Sequence, residues 1–181
     1  KNYFLQYSKK ARDSVKTIVI DMYSPYISLI KEVFPNTKMI IDKFHIIQLF
    51  SRALNKTRIR VMNRDKKNYN KLKKYWKLLL KDHSKIDYIH FTYHRSFKKL
   101  MREKDMINYL LALDPELKAS YELYQHVRFC IHNKNLNLLK NVFVDKKHIV
   151  SDYMKTAIDT IRKYIDYVEN TLKYDDTNGV L

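Results

Sequence analysis

The stretch VKTIVID, residues 15–21, decides the predicted fold class, because it is a short run of mostly β-branched residues that ends at an aspartate. A run of this kind between polar residues is typical of a buried strand. A serine and a proline at positions 24 and 25 then predict a helix start, since serine caps helices and proline favours their first residue. A second short strand, KMIID at residues 38–42, completes a β-α-β unit, which requires parallel strands and a right-handed crossover.

The rest of the chain is predicted to be helical. Apolar residues recur at helical spacing from Phe44 onward, and further helices are expected near residues 69–81, 96–112, 116–131 and 148–172. One glycine and three prolines in 181 residues leave few positions for the turns of an open sheet, and they exclude glycine-rich phosphate loops. The predicted fold class is therefore α-rich α/β, and the pattern becomes all-helical near residue 65.

The charge balance indicates a polyanionic partner. The chain has 36 Lys and Arg against 19 Asp and Glu, a formal net charge of +17. Such an excess favours nucleic acid first and an anionic membrane surface second. The single cysteine, Cys130, excludes an internal disulfide framework, and no apolar run reaches the ~18 residues of a membrane span. These features predict a cytoplasmic protein that binds nucleic acid.

Two aspartates are candidate metal ligands. Asp21 and Asp42 each end a strand of the same predicted β-α-β unit, so both are expected at the carboxyl edge of the sheet, where reactive groups gather. Carboxylates at this position suit hard divalent cations such as Mg²⁺. The alternative is that both are turn residues, because aspartate commonly follows a strand for conformational reasons alone. Spacing leaves both interpretations open.

His45 follows Asp42 by three positions, which can place both side chains on one side of a strand-to-helix turn. The histidine could then orient a carboxylate, contact a DNA phosphate or assist a metal site. The alternative is that Asp42 caps the helix that begins near Phe44, with His45 in its first turn. Geometry alone favours the cap.

A basic run follows His45. Between residues 52 and 81 there are twelve Lys and Arg and a single acid, Asp65. Four of the cations recur every fourth residue and predict a cationic stripe on one helix, which phosphate neutralisation would use for sequence-tolerant DNA binding. A solvated helix face is the alternative, although such faces usually mix signs. The predicted DNA-binding residues are Arg52, Lys56, Arg58, Arg60, Arg64, Lys73 and Lys74.

Several blocks of the sequence together resemble the ISL-three family of bacterial insertion-sequence transposases. They are the Asp-Met pair after the first strand, the FPN turn at residues 34–36, the DKFHI block at residues 42–46 and the RALNKTR helix at residues 52–58. No single block is specific, but the combination is. The resemblance is strongest over residues 15–60 and extends to the later helical part.

The resemblance implies a ribonuclease-H-like core whose Asp-Asp-Glu triad binds two Mg²⁺ ions. Such enzymes cut DNA at transposon ends and join the freed 3′-hydroxyl to target DNA. By position, Asp21 matches the second aspartate of the triad and would be a catalytic metal ligand, while Asp42 and His45 match a supporting Asp-x-x-His element. The implied division is residues 1–64 as part of the core, 65–172 as a helical insertion and 173–181 as the return toward the core.

Two departures from the family pattern limit the expected activity. The first triad aspartate would precede Lys1, and the chain ends at Leu181, before the block that carries the glutamate in similar proteins. We therefore expect a fragment that is inactive alone and does not retain Mg²⁺, and a homo-oligomer when active. The alternatives are a non-catalytic basic helical nucleic-acid-binding module, in which Asp21 and Asp42 are structural, and another ribonuclease-H-like nuclease.

Overall fold

The computed structural model describes residues 1–146 and 149–174, and it divides the chain into two compact units. The first unit comprises Lys1–Ile46 and Thr160–Leu181, and the second comprises Ile47–Asp159. In chain order the elements are α1 (Asn2–Leu5), α2 (Lys9–Asp13), β1 (Thr17–Ile20), α3 (Ser24–Val33), β2 (Lys38–Ile41), α4 (Lys43–Arg64), α5 (Tyr69–Lys74), α6 (Trp76–Leu80), a 3₁₀ turn (His83–Lys85), β3 (Thr92–His94), β4 (Lys99–Met101), α7 (Glu103–Leu111), α8 (Pro115–His132), α9 (Leu136–Lys146), α10 (Asp152–Lys163) and α11 (Ile165–Lys173).

The first unit contains the β-α-β unit predicted from the sequence. Strands β1 and β2 pair in parallel, with a register that runs from Thr17 opposite Lys38 to Ile20 opposite Ile41. Helix α3 connects them and buries Ile27, Ile30 and Val33. It begins at Ser24, one residue earlier than a Ser24 cap would place it, with Tyr23 at the cap position and Pro25 in its first turn. The parallel β-α-β prediction and the helix-rich α/β class are confirmed, whereas the ribonuclease-H-like assignment stays a prediction.

Helix α11 covers the outer edge of β2. Thr171 bonds to the backbone of Ile41, and the Asn170 amide donates to the Met39 carbonyl at 3.0 Å. The amide and carbonyl of Ile41 and the carbonyl of Met39, which face away from β1, therefore have side-chain partners. Lys38 extends the contact, since its Nζ lies 2.7 Å from the Tyr174 hydroxyl.

The second unit is a helical domain around an aliphatic and aromatic core. Phe50 of α4 stacks on Phe143 of α9, with ring centroids 5.7 Å apart. Leu72, Leu110 and Leu123 of the same unit are fully buried. A buried hydroxyl pair adds a polar contact, because the Thr57 and Ser151 oxygens lie 2.6 Å apart. Apolar burial on these helices is the main source of stability for this unit.

The sequence patterns misplaced several elements of the second unit. A helix predicted from residue 96 is wrong in its first part, where β3 and β4 form an antiparallel hairpin and α7 begins only at Glu103. Predicted helix 69–81 is divided at Tyr75, and α9 was not predicted.

The predicted helix over residues 148–172 is likewise divided at Tyr164, where α10 gives way to α11. The predicted return of residues 173–181 falls outside the described residues from residue 175 onward. The predicted functional division near residue 64 stays a prediction. The compact units themselves divide after residues 46 and 159.

Candidate functional site

Asp21 and Asp42 follow the two parallel strands at the same edge of the sheet. The last paired residues are Ile20 and Ile41, so each aspartate is the next residue after its strand. The Asp42 amide donates to the Ile20 carbonyl at 3.0 Å, which continues the ladder one step beyond β2. The geometry that the sequence predicted for this edge is therefore present in the first unit.

Asp21 carries an unusual carboxylate oxygen. Its Oδ1 atom is buried and has no hydrogen-bond partner in the part of the chain that the structure describes. Buried polar atoms nearly always have partners, and a buried carboxylate without one is costly unless a cation meets it. Asp13 Oδ1 of the same unit is also buried without a partner, but Asp13 ends α2, whereas Asp21 lies at the carboxyl end of a strand, where metal ligands gather.

Asp42 is engaged in the local fold. Its Oδ1 accepts a hydrogen bond from the Phe44 amide at 2.8 Å, and its backbone carbonyl accepts from the His45 amide at 3.0 Å. These are the bonds of a helix N-cap, here at the start of α4. The capping alternative is thus realised at Asp42, while its supporting catalytic role stays a prediction.

His45 lies in the first turn of α4 and is half-buried. Its ring packs edge-on against the Phe44 ring with centroids 5.5 Å apart. Within residues 1–146 and 149–174, no hydrogen bond joins the His45 ring and the Asp42 carboxylate. The two residues share a helix start, but the imidazole does not orient the carboxylate in this arrangement.

The described residues do not form a complete metal site. They contain no group of three or more His, Cys, Asp or Glu side chains that could hold a metal ion. Asp21 supplies a hard anionic oxygen of the kind that Mg²⁺ prefers. The residues present therefore supply one of the several ligands that a magnesium site needs.

The predicted DNA-binding residues divide into exposed and engaged side chains. Arg52 and Lys56 on α4 are exposed, as are Lys73 and Lys74 on α5. Arg60 and Arg64 lie on the same stripe of α4 but form ion pairs with Glu116 and Asp114 of the α8 start, respectively. The stripe predicted from four-residue spacing exists in the second unit, and its first two members are free of such ion pairs within the described residues.

Arg58 points into the second unit. The residue is only 7% exposed, and its guanidinium donates to the Leu72 carbonyl at 2.8 Å and to the Asn55 side chain at 2.9 Å. Burial lowers the pKa of this guanidinium below its ordinary value. Arg58 therefore ties α4 to α5 and contributes little to the exposed cationic face.

A shallow groove beside Arg52 and Lys56 contains a residue that the sequence patterns did not single out. Tyr153 of α10 is 39% exposed, and its ring centroid lies 5.8 Å from the Lys56 Nζ and 5.7 Å from the Arg60 guanidinium carbon. The groove has a volume of 580 Å³. Tyr153 adds a flat aromatic surface to a cationic one, a combination that suits nucleic acid. Its distance along the chain from α4 left no sequence signal for this pairing.

The full length of the chain, residues 1–181, matches the family model for ISL-three transposases of the Asp-Asp-Glu class, which is described as transposase. The chain belongs to this transposase family. No curated protein and no solved structure gives a significant match. The family assignment, foreseen from four short blocks, is thus confirmed over all residues.

Membership in a transposase family makes DNA the partner class. In this transposase the exposed cations Arg52 and Lys56 belong to the second unit, whereas Asp21 belongs to the first. Among the described helices, none is both long and apolar enough to cross a bilayer. An anionic membrane surface, the second explanation of the charge, gains no support from the family.

Proposed function

We propose that this chain acts in Mg²⁺-dependent DNA cleavage and strand transfer, with Asp21 as a catalytic metal ligand. The observation that carries the proposal is the buried, unpartnered Oδ1 of Asp21 at the carboxyl end of β1, in a chain of the transposase family. An anionic oxygen with no competing donor is available to a hard cation. Asp21 thereby has the ligand chemistry that the reaction requires.

The roles of the neighbouring residues follow from their contacts. Asp42 holds the turn after β2 by capping α4 and so fixes the backbone at the same edge as Asp21. When bound at such a site, Mg²⁺ supplies Lewis-acid stabilisation of a phosphodiester and activation of a water or hydroxyl nucleophile. Asp21 contributes one negative charge toward holding it, and further ligands are required for a complete site.

The cationic face of the second unit is the proposed DNA-binding surface. Arg52 and Lys56 are exposed, and Tyr153 lies against Lys56 at the adjacent groove. Lysine and arginine that neutralise phosphates release condensed counterions, which gives affinity that depends on salt and little on sequence. Lys73 and Lys74 on α5 extend the exposed positive charge. We also propose that the active form is a homo-oligomer, as the resemblance to such transposases implies.

The test is a strand-transfer assay with the transposase that carries this chain. Asp21→Asn keeps the side-chain size but removes the anionic ligand, so we expect strand transfer to fall at least about 100-fold while DNA affinity stays within about twofold. Asp166→Asn, which alters an exposed aspartate of α11 in the same unit, is the matched control and should transpose normally.

Wild-type transposition by Asp21→Asn would refute the metal-ligand assignment. That result would favour the second candidate, a non-catalytic basic helical DNA-binding module. The cap that Asp42 makes on α4 is the observation that favours this candidate, because it shows one of the two strand-end aspartates in a structural role.

A further inference from the structure

The β3–β4 hairpin of the second unit has an outer face that is apolar and exposed. Tyr93 and Leu100 are register partners across the two strands, and each is 61% exposed. Phe91 precedes β3, two residues before Tyr93, and is 58% exposed. We call Phe91, Tyr93 and Leu100 the hairpin aromatic face. Three large apolar side chains on so small a hairpin form a patch of the kind that marks interaction sites.

The hairpin is held in place by its other side. Phe97 at the tip packs against Tyr75 and Tyr109, with ring centroids 5.3 Å and 5.1 Å away. Met101 of β4 is buried, and the Phe97 amide donates to the His94 carbonyl at 2.9 Å to close the turn. These contacts anchor the hairpin to α7 and to the junction between α5 and α6. The hairpin aromatic face is therefore not needed to fix the hairpin on the domain.

The charge around the hairpin indicates which class of molecule binds to it. Residues 88–102 contain four Lys and Arg and no Asp or Glu, although one of the four, Arg102, forms an ion pair with Asp105. The Arg102 guanidinium carbon lies 4.9 Å from the centroid of the Phe91 ring, so cation and aromatic surface are adjacent. An apolar protein partner would have to desolvate these cations, whereas a polyanion with flat apolar bases matches both features.

A cavity of 760 Å³ lies on the inner side of the hairpin. Its lining includes Thr92 and His94 from β3 and Trp76 from α6, together with two acids, Asp87 and Glu103, of which Glu103 is paired with Lys81. Trp76 is 38% exposed, and the Lys77 Nζ lies 5.7 Å from its ring centroid. The volume is within the range of small-molecule sites and accommodates a nucleotide. Aromatic surface and positive charge therefore occur on both sides of the hairpin.

We propose that the β3–β4 hairpin and the cavity behind it bind unpaired DNA, with bases stacked on the hairpin aromatic face and against Trp76. Every base has a π-face, so stacking of this kind tolerates any sequence, and the flanking lysines and arginines hold the phosphates. The inference rests on the proposed function only in taking DNA as the partner. It assigns single-stranded DNA to the hairpin, separate from the duplex surface around Arg52 and Lys56.

The test compares single-stranded and duplex binding by the full chain. The probes are a labelled oligothymidylate of about 12 nucleotides, a length within known single-strand site sizes, and a duplex of equal length. Phe91→Ala combined with Tyr93→Ala should weaken oligothymidylate binding about tenfold or more and leave duplex affinity within twofold. Tyr93→Phe should bind like the native chain because it keeps the ring. Phe129→Ala, which removes a 55% exposed aromatic from α8, is the matched control and should change neither affinity.

Trp76 provides a second readout because it is the only tryptophan of the chain. Stacked thymines should quench its fluorescence in the native chain, and the double variant should reduce this quenching at equal oligothymidylate concentration. Unchanged oligothymidylate affinity and quenching in the double variant would overturn the proposal. The same would hold if the double variant only dissociated a dimer in sedimentation experiments, since the hairpin aromatic face would then belong to a second copy. Failure of the proposed function has a different signature, namely duplex binding that does not respond to the loss of Arg52 and Lys56.

Discussion

Thr171 of α11 hydrogen bonds to both backbone groups of Ile41, the last residue of β2. Its hydroxyl oxygen accepts from the Ile41 amide at 3.0 Å, and its one proton faces two acceptors, the Ile41 carbonyl at 2.7 Å and the Tyr167 carbonyl at 2.9 Å. Thr171 is 1% exposed, so these backbone groups have little access to water. Thr171 thus provides Ile41, at the outer edge of β2, with the hydrogen-bond partners that a neighbouring strand provides in a larger sheet.

This contact predicts a large stability difference between two conservative substitutions. Thr171→Val keeps the shape but leaves the buried Ile41 amide without a partner, which should lower the free energy of unfolding by about 1–3 kcal/mol. Thr171→Ser keeps the hydroxyl and should cost clearly less. Urea unfolding monitored by circular dichroism measures both. Equal losses for Val and Ser would mean that packing of the methyl group, and not hydrogen bonding, makes the contribution.

The unpartnered oxygen of Asp21 predicts that this residue does not stabilise the metal-free fold. Asp21→Asn removes a partly buried charge, and we expect the free energy of unfolding to stay equal or rise by up to about 1 kcal/mol without Mg²⁺. Thermal unfolding in the presence of a chelator measures the change. A clear loss of stability would show that the Asp21 carboxylate has a structural role.

The cationic face predicts a specific salt dependence. Replacing Arg52 and Lys56 by alanine should lower the slope of log affinity against log salt concentration by about 2, because each phosphate contact contributes about 0.9 for duplex DNA. Fluorescence anisotropy with a duplex at several salt concentrations gives the slope. Arg60 is left in place because it pairs with Glu116, and its removal would also break that contact.

The matched control for this experiment is Lys118→Ala combined with Lys140→Ala, which removes two exposed lysines from α8 and α9 of the same unit. An equal decrease of the slope in the control would indicate a general effect of net charge. In that case Arg52 and Lys56 would be ordinary solvated residues.

Asp82 predicts a pH dependence of stability. Hydrogen bonds from the Arg128 guanidinium, at 2.6 Å and 3.2 Å, hold the pKa of the Asp82 carboxyl well below its usual range, and donors of Ser84 add to the effect. A lowered folded-state pKa means that the stabilisation is fully present above the unfolded pKa of about 3.9 and is lost as the pH falls below it.

The corresponding variant is Asp82→Asn. At pH 7 it should be less stable than the native chain by about 1 kcal/mol, and the difference should shrink toward pH 3. Denaturant unfolding at both pH values gives the comparison. Asp166→Asn, at an exposed aspartate, serves as control. A difference that is equal at pH 3 and pH 7 would rule out the ion pair as its source.

The parts of the fold that the sequence predicted correctly depend on local patterns. The β-branched run before Asp21 and the Ser24-Pro25 helix start encode β1 and α3 within a few residues. The hairpin at residues 92–101 was missed because Phe97 is held by Tyr75, between α5 and α6, and by Tyr109 of α7, and such tertiary contacts override helix propensity. Short apolar runs cannot distinguish these outcomes.

The cationic residues illustrate the same limit within one helix. Arg52, Lys56, Arg60 and Arg64 share a stripe through their four-residue spacing, but Arg58 lies about 200° around the helix from Lys56. It lies four residues after the buried Leu54 and three before the buried Val61, on the same face of the helix, so helical geometry alone could have placed it inward. The ion pairs of Arg60 and Arg64, in contrast, depend on where α8 begins, which no local pattern encodes.

The bond between Ile41 and Thr171 joins residues 130 positions apart. A ribosome therefore makes β2, and then every residue of the second unit, before it makes the side chain that covers the outer edge of β2. At 5–20 residues per second, this edge of the nascent chain stays open for on the order of ten seconds. During that interval the hydrogen-bonding groups of β2 are available to other chains, and the unit that contains Asp21 is completed last.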